Sequence, residues 1–123
     1  MFNDTILEII THEGPASIVT MGTDGPHIAA TWNSYIHIEA QDEVWIPAGS
    51  LFSTEENVAQ GSVVQLLIAT KGVQGQHGDG TGYLLSGKAV FESSGPCYDA
   101  VKTRFSWARA VMIVKVNQIK QLI

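Results

Sequence analysis

The sequence has few residues of several kinds, and each shortage excludes a class of function. Cys97 is the only cysteine, so one chain cannot form an internal disulfide or a multi-cysteine zinc or iron–sulfur site. Seven lysines and arginines stand against twelve aspartates and glutamates, which gives a formal net charge of -5. Because no basic stripe is left to neutralise a phosphate backbone, we expect no binding to nucleic acid.

Long apolar runs and a basic N-terminal segment are missing as well. No run approaches the ~18 apolar residues that cross a bilayer. Residues 1–5 carry none of the lysines or arginines that precede the apolar core of a secretory signal. We therefore expect no membrane association and a cytoplasmic location, which suits a chain with a single cysteine.

The common catalytic and metal-binding motifs are also absent. The sequence has no G-x-S-x-G nucleophile elbow and no G-K-[ST] phosphate loop. Four histidines occur without the spacings typical of metal ligands: His12, His27, His37 and His77. Cys97 follows Pro96 at a predicted helix start, where a thiol pKa can be lowered, although a lone inert cysteine is the commoner case. The sequence thus predicts no metal site and no catalytic residue.

The residues that are plentiful predict one small β-rich domain. Apolar residues make up 45% of the 123 positions and charged residues only 15%, so a core is easily filled. Asp24-Gly25 between two apolar segments is a hairpin signal. Nothing marks a domain boundary, and we treat residues 1–123 as a single domain.

The periodicity predicts short helices among about six strands. Helices are expected at 5–13, 53–60 and 93–105. Strands are expected at 16–21, 27–32, 43–47, 62–70, 83–91 and 110–116, and extended structure is expected to resume at 35–39 after an interruption at Asn33-Ser34. Periodicity alone does not distinguish the apolar segment 62–70 from a buried helix. Mostly antiparallel hairpins of this number fit a small closed barrel.

Five glycines between positions 72 and 82 predict a flexible loop. The run Gly78-Asp79-Gly80-Thr81-Gly82 superficially matches a dinucleotide-binding fingerprint, which requires a strand before it and a helix after it. Here the next segment is the strand that starts at Tyr83. We therefore interpret the run as a loop and not as a nucleotide site.

Two aromatic segments are candidates for ligand contact. Thr31-Trp32-Asn33-Ser34-Tyr35 offers an indole, an amide, hydroxyls and a phenol in succession, which suits a flat heteroaromatic ligand. A strand corner, with Asn33 and Ser34 bonded to nearby backbone groups, explains the same residues. Arg109, close to Trp107 before the last strand, could contact an anionic or aromatic ligand, whereas aromatics before a strand usually fill the core.

The start of the second helix is a candidate anion site. Free N–H groups and the positive end of the helix dipole attract anions, and the hydroxyls of Ser53 and Thr54 would add two donors. Ser53 and Glu56 also have the spacing of a capping box, which would explain Ser53 without any ligand.

Several runs of residues together resemble one known family: Gly25-Pro26-His27, Thr31-Trp32-Asn33-Ser34-Tyr35, Pro47 to Gly49, Thr54-Glu55, Asn57-Val58-Ala59, Gly80-Thr81-Gly82 and Trp107-Ala108-Arg109-Ala110. In order and across nearly the whole chain, they are similar to the small FMN-binding proteins of sulfate-reducing bacteria, within the pyridoxamine 5′-phosphate oxidase-like split-barrel family. The resemblance implies a mainly β fold with short α-helices, a six-stranded antiparallel split β-barrel. It also implies non-covalent FMN and a homodimer.

The resemblance further implies which residues hold the cofactor. Those expected around the flavin ring and ribityl chain are Thr31, Trp32, Asn33, Ser34, Pro47, Gly49 and Ser50. Ser53 and Thr54 are expected to hold the phosphate. Trp107 and Leu122 are expected to approach the flavin from the partner subunit.

One position departs from the resembling proteins. They carry a lysine beside the phosphate-binding threonine, and this chain has Ser53. Losing a cation that faces a phosphate dianion would weaken binding by about tenfold to a hundredfold unless another cation replaces it. Lys71 and Arg109 are the two candidates.

A small acidic flavoprotein of this kind is expected to carry electrons, and its net charge of -5 favours a basic redox partner such as a cytochrome. The alternative is a flavin-dependent oxidase or reductase of a small molecule, because a fold does not fix a function. A deazaflavin or haem in place of FMN also remains open at this stage.

Overall fold

The computed structural model describes residues 1–123 as one seven-stranded antiparallel sheet with three α-helices and one 3₁₀ turn. The strands are β1 (Pro15–Gly22), β2 (Gly25–Trp32), β3 (His37–Glu39), β4 (Glu43–Ala48), β5 (Val64–Gln74), β6 (Asp79–Glu92) and β7 (Ala110–Gln121). The helices are α1 (Asp4–Ile9), α2 (Phe52–Ala59) and α3 (Pro96–Arg104), and the 3₁₀ turn is Asn33–Tyr35. No helix is long and apolar enough to span a bilayer.

The sheet has the strand order β2-β1-β5-β6-β7-β4-β3. Its edge strands β2 and β3 are consecutive in the chain but do not pair with each other, so the sheet wraps around the core without closing. The expected split β-barrel is confirmed. The count of six strands and the closed barrel are wrong, because the segment after the 3₁₀ turn does not continue β2. It forms a seventh strand at the opposite edge, where His37–Glu39 pairs with β4.

One buried cluster joins the two halves of the sheet. It includes Ile18 of β1, Leu66 of β5, Ile46 of β4 and Met112 of β7, all with no exposed surface. Helix α1 contributes Ile6 and Ile9 to the same cluster, and Asn3 caps that helix by accepting from the N–H of Ile6 at 2.8 Å. Strands on both sides of the opening are therefore held against a common core.

The hairpin and the central strand follow the sequence. β1 and β2 pair from Pro15↔Trp32 to Gly22↔Gly25, which confirms the hairpin and leaves Thr23-Asp24 as its turn. The ambiguous segment 62–70 is a strand, since β5 pairs with β1 on one side and with β6 on the other. One face of β5 is fully buried through Val64, Leu66 and Ile68, while Leu67 and Ala69 on the other face are only partly covered.

The expected loop at 72–82 is largely wrong. β5 continues to Gln74 and β6 begins at Asp79, so only residues 75–78 turn between them. Glycine content indicated flexibility, but the pairing of Ala69↔Gly82 and Thr70↔Thr81 holds this part of the chain as a ladder. β7 also extends past the expected end at 116 to Gln121, because β6 offers it a partner along that length.

Candidate functional site

A cleft of about 310 Å³ opens where the ends of β2 and β4 meet the segment before β7. We call it the aromatic cleft. Its lining residues are Ala30, Thr31, Trp32, Tyr35, Pro47, Gly49, Ser50, Leu51 and Trp107. The 3₁₀ turn places Tyr35 at the cleft, and the loop between β4 and α2 supplies Gly49, Ser50 and Leu51.

Aromatic rings form much of the wall of this cleft. The rings of Tyr35 and Trp107 lie 5.6 Å apart between centroids, and Phe105 lies 5.0 Å from Tyr35 behind them. Trp32 and Trp107 remain 45% and 49% exposed, so both indoles present surface to an incoming molecule. Flat apolar surfaces beside a few hydroxyls and backbone groups suit a planar heteroaromatic ligand.

Position 49 requires a glycine because the ring of Trp107 packs directly against its backbone. A Cβ at position 49 would meet Cε3 of Trp107 at 2.9 Å and Cζ3 at 3.1 Å. Without a side chain, the backbone of the loop approaches the indole closely and fixes one corner of the cleft.

Six of the residues expected around a flavin line the aromatic cleft, namely Thr31, Trp32, Pro47, Gly49, Ser50 and Trp107. Trp107 lines the cleft of its own chain, whereas it was expected to come from a partner. Leu122 does not line the cleft of its own chain. It is 45% exposed at the end of β7, where its N–H donates to the carbonyl of Gly82 at 2.8 Å.

Asn33 faces the interior and not the cleft, so its expected contact with the ring is not supported. It has no exposed surface, and its Nδ2 donates to the carbonyls of His12 at 3.0 Å and Ala69 at 3.1 Å. Its own N–H donates to the carbonyl of Gly14 at 2.8 Å. The interpretation as a strand corner therefore describes Asn33 correctly, with its Oδ1 left without a partner.

Ser34 is exposed and is bonded to Glu13 rather than turned into the cleft. Its hydroxyl donates to Oε2 of Glu13 at 2.7 Å. This hydrogen bond, helped by the N–H groups of Gly14 and Ser34, holds the pKa of Glu13 below its ordinary value.

The start of α2 differs from the expected capping box. The residue at the cap is Leu51, which has a left-handed conformation with φ of +61°, and no side chain caps the helix. Thr54, in the first turn, has no exposed surface, and its Oγ1 has no hydrogen-bond partner. The first-turn N–H groups of α2 therefore have no side-chain acceptor.

Ser53 lies outside the aromatic cleft. It lines a polar recess of about 260 Å³ between α2 and the β1–β2 turn, which we call the turn recess. Asp24 and Glu56 contribute two carboxylates to that recess, and His27 contributes an imidazole.

Arg109 lies beside the loop that forms the floor of the cleft. Its Nη2 donates to the carbonyl of Ser50 at 2.6 Å, and its Nη1 pairs with Oε1 of Glu55 at 2.8 Å. The guanidinium carbon stands 4.0 Å from the centre of the Phe52 ring. Its Nε is buried and has no partner.

Cys97 is not an activated thiol. Burial, with added repulsion from Glu92, Glu43 and Glu39, raises the pKa of Cys97 to about 11. The interpretation of Cys97 as inert fits this surrounding, since only a thiolate reacts readily.

The sequence is similar over its whole length to that of one named protein. An FMN-binding protein of Nitratidesulfovibrio vulgaris (strain DSM 19637 / Miyazaki F) is 38% identical over 121 residues, which cover 98% of each chain. The chain belongs to the family of this FMN-binding protein. No protein-family model matches the chain.

Solved structures show the same fold at much lower identity. HupZ of Group A Streptococcus superposes with a TM-score of 0.82 at 18% identity, covering 99% of this chain and 94% of that one. An FMN-binding protein from Syntrophomonas wolfei superposes with a TM-score of 0.76 at 11% identity, covering 98% and 85%. The split barrel thus persists where little of the sequence does.

Tyr35, the phenol of the aromatic run that the sequence offers as a ligand-contact candidate, lines the cleft. In this member of the FMN-binding protein family, two other features of the site have no signal in the sequence. Leu51 could not be expected, because its left-handed conformation has no sequence signature in a leucine. The pairing of Arg109 with Glu55 joins residues far apart in the chain.

Proposed function

We propose that this protein binds FMN non-covalently in the aromatic cleft and transfers electrons. The observation that carries the proposal is the aromatic cleft itself, walled by Trp32, Tyr35 and Trp107, in a chain 38% identical to an FMN-binding protein. Bound FMN would supply the redox chemistry, and the protein supplies binding, orientation and electrostatics.

The residues present fit this cofactor at both ends. The indole and phenol faces suit the isoalloxazine ring, and the hydroxyls of Thr31 and Ser50 suit the polar ring edge and the ribityl chain. Where the cleft meets α2, the Oγ1 of Thr54 and the Nε of Arg109 are buried without partners. Unpaired buried polar atoms are rare in native proteins, and their presence here fits a site shaped for a polar ligand group.

A second copy of the chain would complete the site. The outward-facing residues of edge strand β2 are all apolar: Pro26, Ile28, Ala30 and Trp32. Ile28 in the middle of this face is 70% exposed, and Phe52 at the start of α2 is 64% exposed. A contiguous apolar face of this kind marks a protein interface, and a two-fold homodimer is the commonest way to cover one. Leu122 is then the residue we expect from the partner.

Electron transfer is favoured over catalysis by what the aromatic cleft lacks. Apart from the phenol of Tyr35, its lining contains no side chain that would move a proton during turnover of a substrate: no carboxylate, imidazole, thiol or amine. A carrier needs none of these groups. With a net charge of -5, it would dock with a redox protein that presents a basic surface.

One feature favours the alternative of a small-molecule oxidoreductase. A pocket of about 90 Å³ shares Tyr35 and Pro47 with the aromatic cleft and is otherwise lined by His37, Trp45, Ala100, Val101, Arg104 and Phe105. A small organic substrate bound there would lie beside the cleft wall. Its volume is smaller than the several hundred Å³ typical of ligand pockets, so we rank this function second.

The visible spectrum of the purified protein tests the cofactor. Absorption bands of oxidised flavin are expected, and release of the pigment on acid denaturation would show that it is not covalently bound. A haem spectrum, a deazaflavin spectrum or a colourless protein that does not take up added FMN would refute the proposal.

Stopped-flow mixing distinguishes the carrier from the enzyme. The reduced protein should pass electrons faster to a basic cytochrome than to an acidic one, and that rate should fall as salt screens the attraction. Rapid, saturable oxidation of NADH, NADPH or pyridoxamine phosphate, together with slow and salt-independent transfer to both cytochromes, would favour the enzyme.

A further inference from the structure

We infer that Arg109 is the cation that recognises the phosphate of FMN in this chain, and that Glu55 holds Arg109 in place and weakens its attraction for the phosphate. The inference rests on the proposed function and names a residue for the phosphate end of that site. It follows from where the structure places the three candidate groups: Ser53, Lys71 and Arg109.

The turn recess around Ser53 is a poor place for a dianion. Asp24 and Glu56 line it with two carboxylates, and His27 is the only basic side chain there. The phosphate of FMN would meet two like charges in this recess, which opposes its binding. Ser53 therefore does not do the work of the missing lysine, because it is uncharged and lies in a recess that repels a phosphate.

Lys71 lies at a different surface of the protein from the aromatic cleft. It lies on β5, where its Nζ donates to the carbonyl of Asp79 at 3.3 Å. It lines a separate surface cleft with Pro15, Gly80 and Ile123, and no residue of that cleft lines the aromatic cleft.

Arg109 is the basic side chain that contacts the floor of the aromatic cleft. Its Nη2 holds the carbonyl of Ser50, a lining residue, and Phe52 covers one face of the guanidinium. Its contacts with Ser50 and Glu55 account for only some of the five N–H donors of a guanidinium. An arginine in this state has donors left for the oxygens of a phosphate.

Two further observations point to an anion at this end of the cleft. α2 starts here without a side-chain cap, so its first N–H groups and its dipole face outward unopposed by a capping oxygen. The Oγ1 of Thr54 in the same turn is fully buried and has no partner, as is the Nε of Arg109.

Glu55 has two opposing effects on this site. Its carboxylate pairs with the guanidinium at 2.8 Å, which favours this position of the long arginine side chain over others. Its negative charge also cancels part of the field that a phosphate would feel. Removing the charge while keeping the shape should therefore tighten FMN binding, provided that Arg109 is present.

The test compares FMN with riboflavin, which lacks the phosphate, by quenching of flavin fluorescence on binding to the apoprotein. Arg109→Gln should weaken FMN binding by about tenfold to a hundredfold and change riboflavin binding by less than about threefold. Lys71→Gln is the matched control and should leave both affinities unchanged. Glu55→Gln should tighten FMN binding by a few-fold, and the gain should disappear in the Arg109→Gln background.

Two measurements keep the test decisive if Arg109→Gln folds poorly. Arg109→Lys keeps the charge and should retain a preference for FMN over riboflavin. In the wild type, inorganic phosphate should compete with FMN at millimolar concentration and not with riboflavin.

The outcomes separate this inference from the proposed function. Equal losses of both flavins in Arg109→Gln, or a gain from Glu55→Gln that persists without Arg109, would overturn the role of Arg109 and leave the flavin site intact. Binding of FMN and riboflavin with equal affinity by the wild type would do the same. A wild type that binds neither flavin would refute the proposed function and this inference together.

Discussion

The side-chain amide of Asn33 connects three parts of the chain. It joins the carbonyl of His12 after α1 to the carbonyl of Ala69 on β5, from a position directly before Ser34. We expect Asn33→Ala to lower the free energy of unfolding by about 2 kcal/mol, because two partly buried carbonyls lose their donor and a small cavity remains at the buried Asn33.

Urea denaturation of the apoprotein measures this loss, with Asn117→Ala on the exposed side of β7 as the matched control. An apoprotein of unchanged stability that loses only flavin affinity would show that Asn33 serves the ligand and not the fold.

Gly49 limits the shape of the aromatic cleft. A methyl group at this position stands 2.9 Å from the Trp107 ring, which must move outward to make room. We expect Gly49→Ala to lower flavin affinity by about tenfold, equivalent to ~1.4 kcal/mol, while stability changes less. Isothermal titration with FMN measures the effect.

Trp107→Leu supplies the matching background for Gly49→Ala. In that background the alanine has no indole to displace, so adding it should cost little further affinity. A full and additive loss would place the effect of the methyl group elsewhere than at Trp107.

Glu13 gives the stability a pH dependence that can be assigned to one hydrogen bond. The hydroxyl of Ser34 lowers the pKa of Glu13 in the folded state relative to the unfolded chain. Its contribution is therefore present above the unfolded-state pKa and is lost as the pH falls through the lower, folded-state pKa. We expect Ser34→Ala to be less stable than the wild type at pH 7.

Thermal denaturation across a pH series measures the difference between Ser34→Ala and wild type. The gap should close at the acid end, where Glu13 is protonated in both proteins. A gap of constant size from pH 7 to the acid end would exclude the Glu13 carboxylate as its cause.

At the level of residues, the sequence predicts which side chains suit a ligand better than it predicts which way those side chains point. Thr31, Trp32, Gly49 and Trp107 are predicted to contact a ligand, and the structure places all four in the lining of the aromatic cleft. Asn33 has the same polar character, and nothing in the sequence says that it turns inward. That direction depends on carbonyls of His12 and Ala69, which the fold brings together from distant parts of the chain.

Among the elements, β6 and β7 depend on a single irregular position. Their register shifts between Ser86 and Gly87, and a Cβ at Gly87 would lie 1.9 Å from the carbonyl oxygen of Lys115. Neither backbone can yield without breaking the ladder on both sides of the bulge. We expect Gly87→Ala to lower the free energy of unfolding by about 3 kcal/mol or more.

Ser86→Ala is the control for this bulge, since residue 86 already carries a Cβ. It should change stability by about 0.5 kcal/mol or less. Chemical denaturation of the two variants side by side provides the comparison. Equal stabilities would mean that the bulge relaxes at no cost.

Helices and turns that depend on local sequence signals are predicted well. Segments whose structure depends on pairing with a distant strand are predicted poorly. The Asp24-Gly25 turn and the short helix at 53–60 lie within one residue or so of their observed places. The glycines between 72 and 82 carry a loop signal that the β5–β6 ladder overrides. The pattern of 35–39 predicts extended structure but no partner, and only the pairing of residues 37–39 with β4 places them at the opposite edge of the sheet.

For the whole molecule, the apolar outer face of β2 makes a prediction about assembly. We expect light scattering of the holoprotein to give the mass of a dimer. Ile28→Lys should weaken the dimer at least about tenfold, because it places a charge in the centre of the proposed interface. Val63→Lys, at another exposed apolar residue, should leave the mass unchanged.

A monomeric wild type that retains its flavin would refute this assembly. If Ile28→Lys loses its flavin to the same extent as it loses the dimer, the partner subunit contributes to the site.

The four residues that join β2 to β3 act as a tether between the two edges of the open sheet. Residues 33–36 allow the last Cα of β2 and the first Cα of β3 to separate by no more than about 18 Å, even fully stretched. The covalent chain therefore sets an upper limit on the separation of the two edge strands, even if the packing around them is lost. Trp32 stands at one end of this segment and Tyr35 within it, so the length of the chain also limits how far these two walls of the cleft can move away from β3.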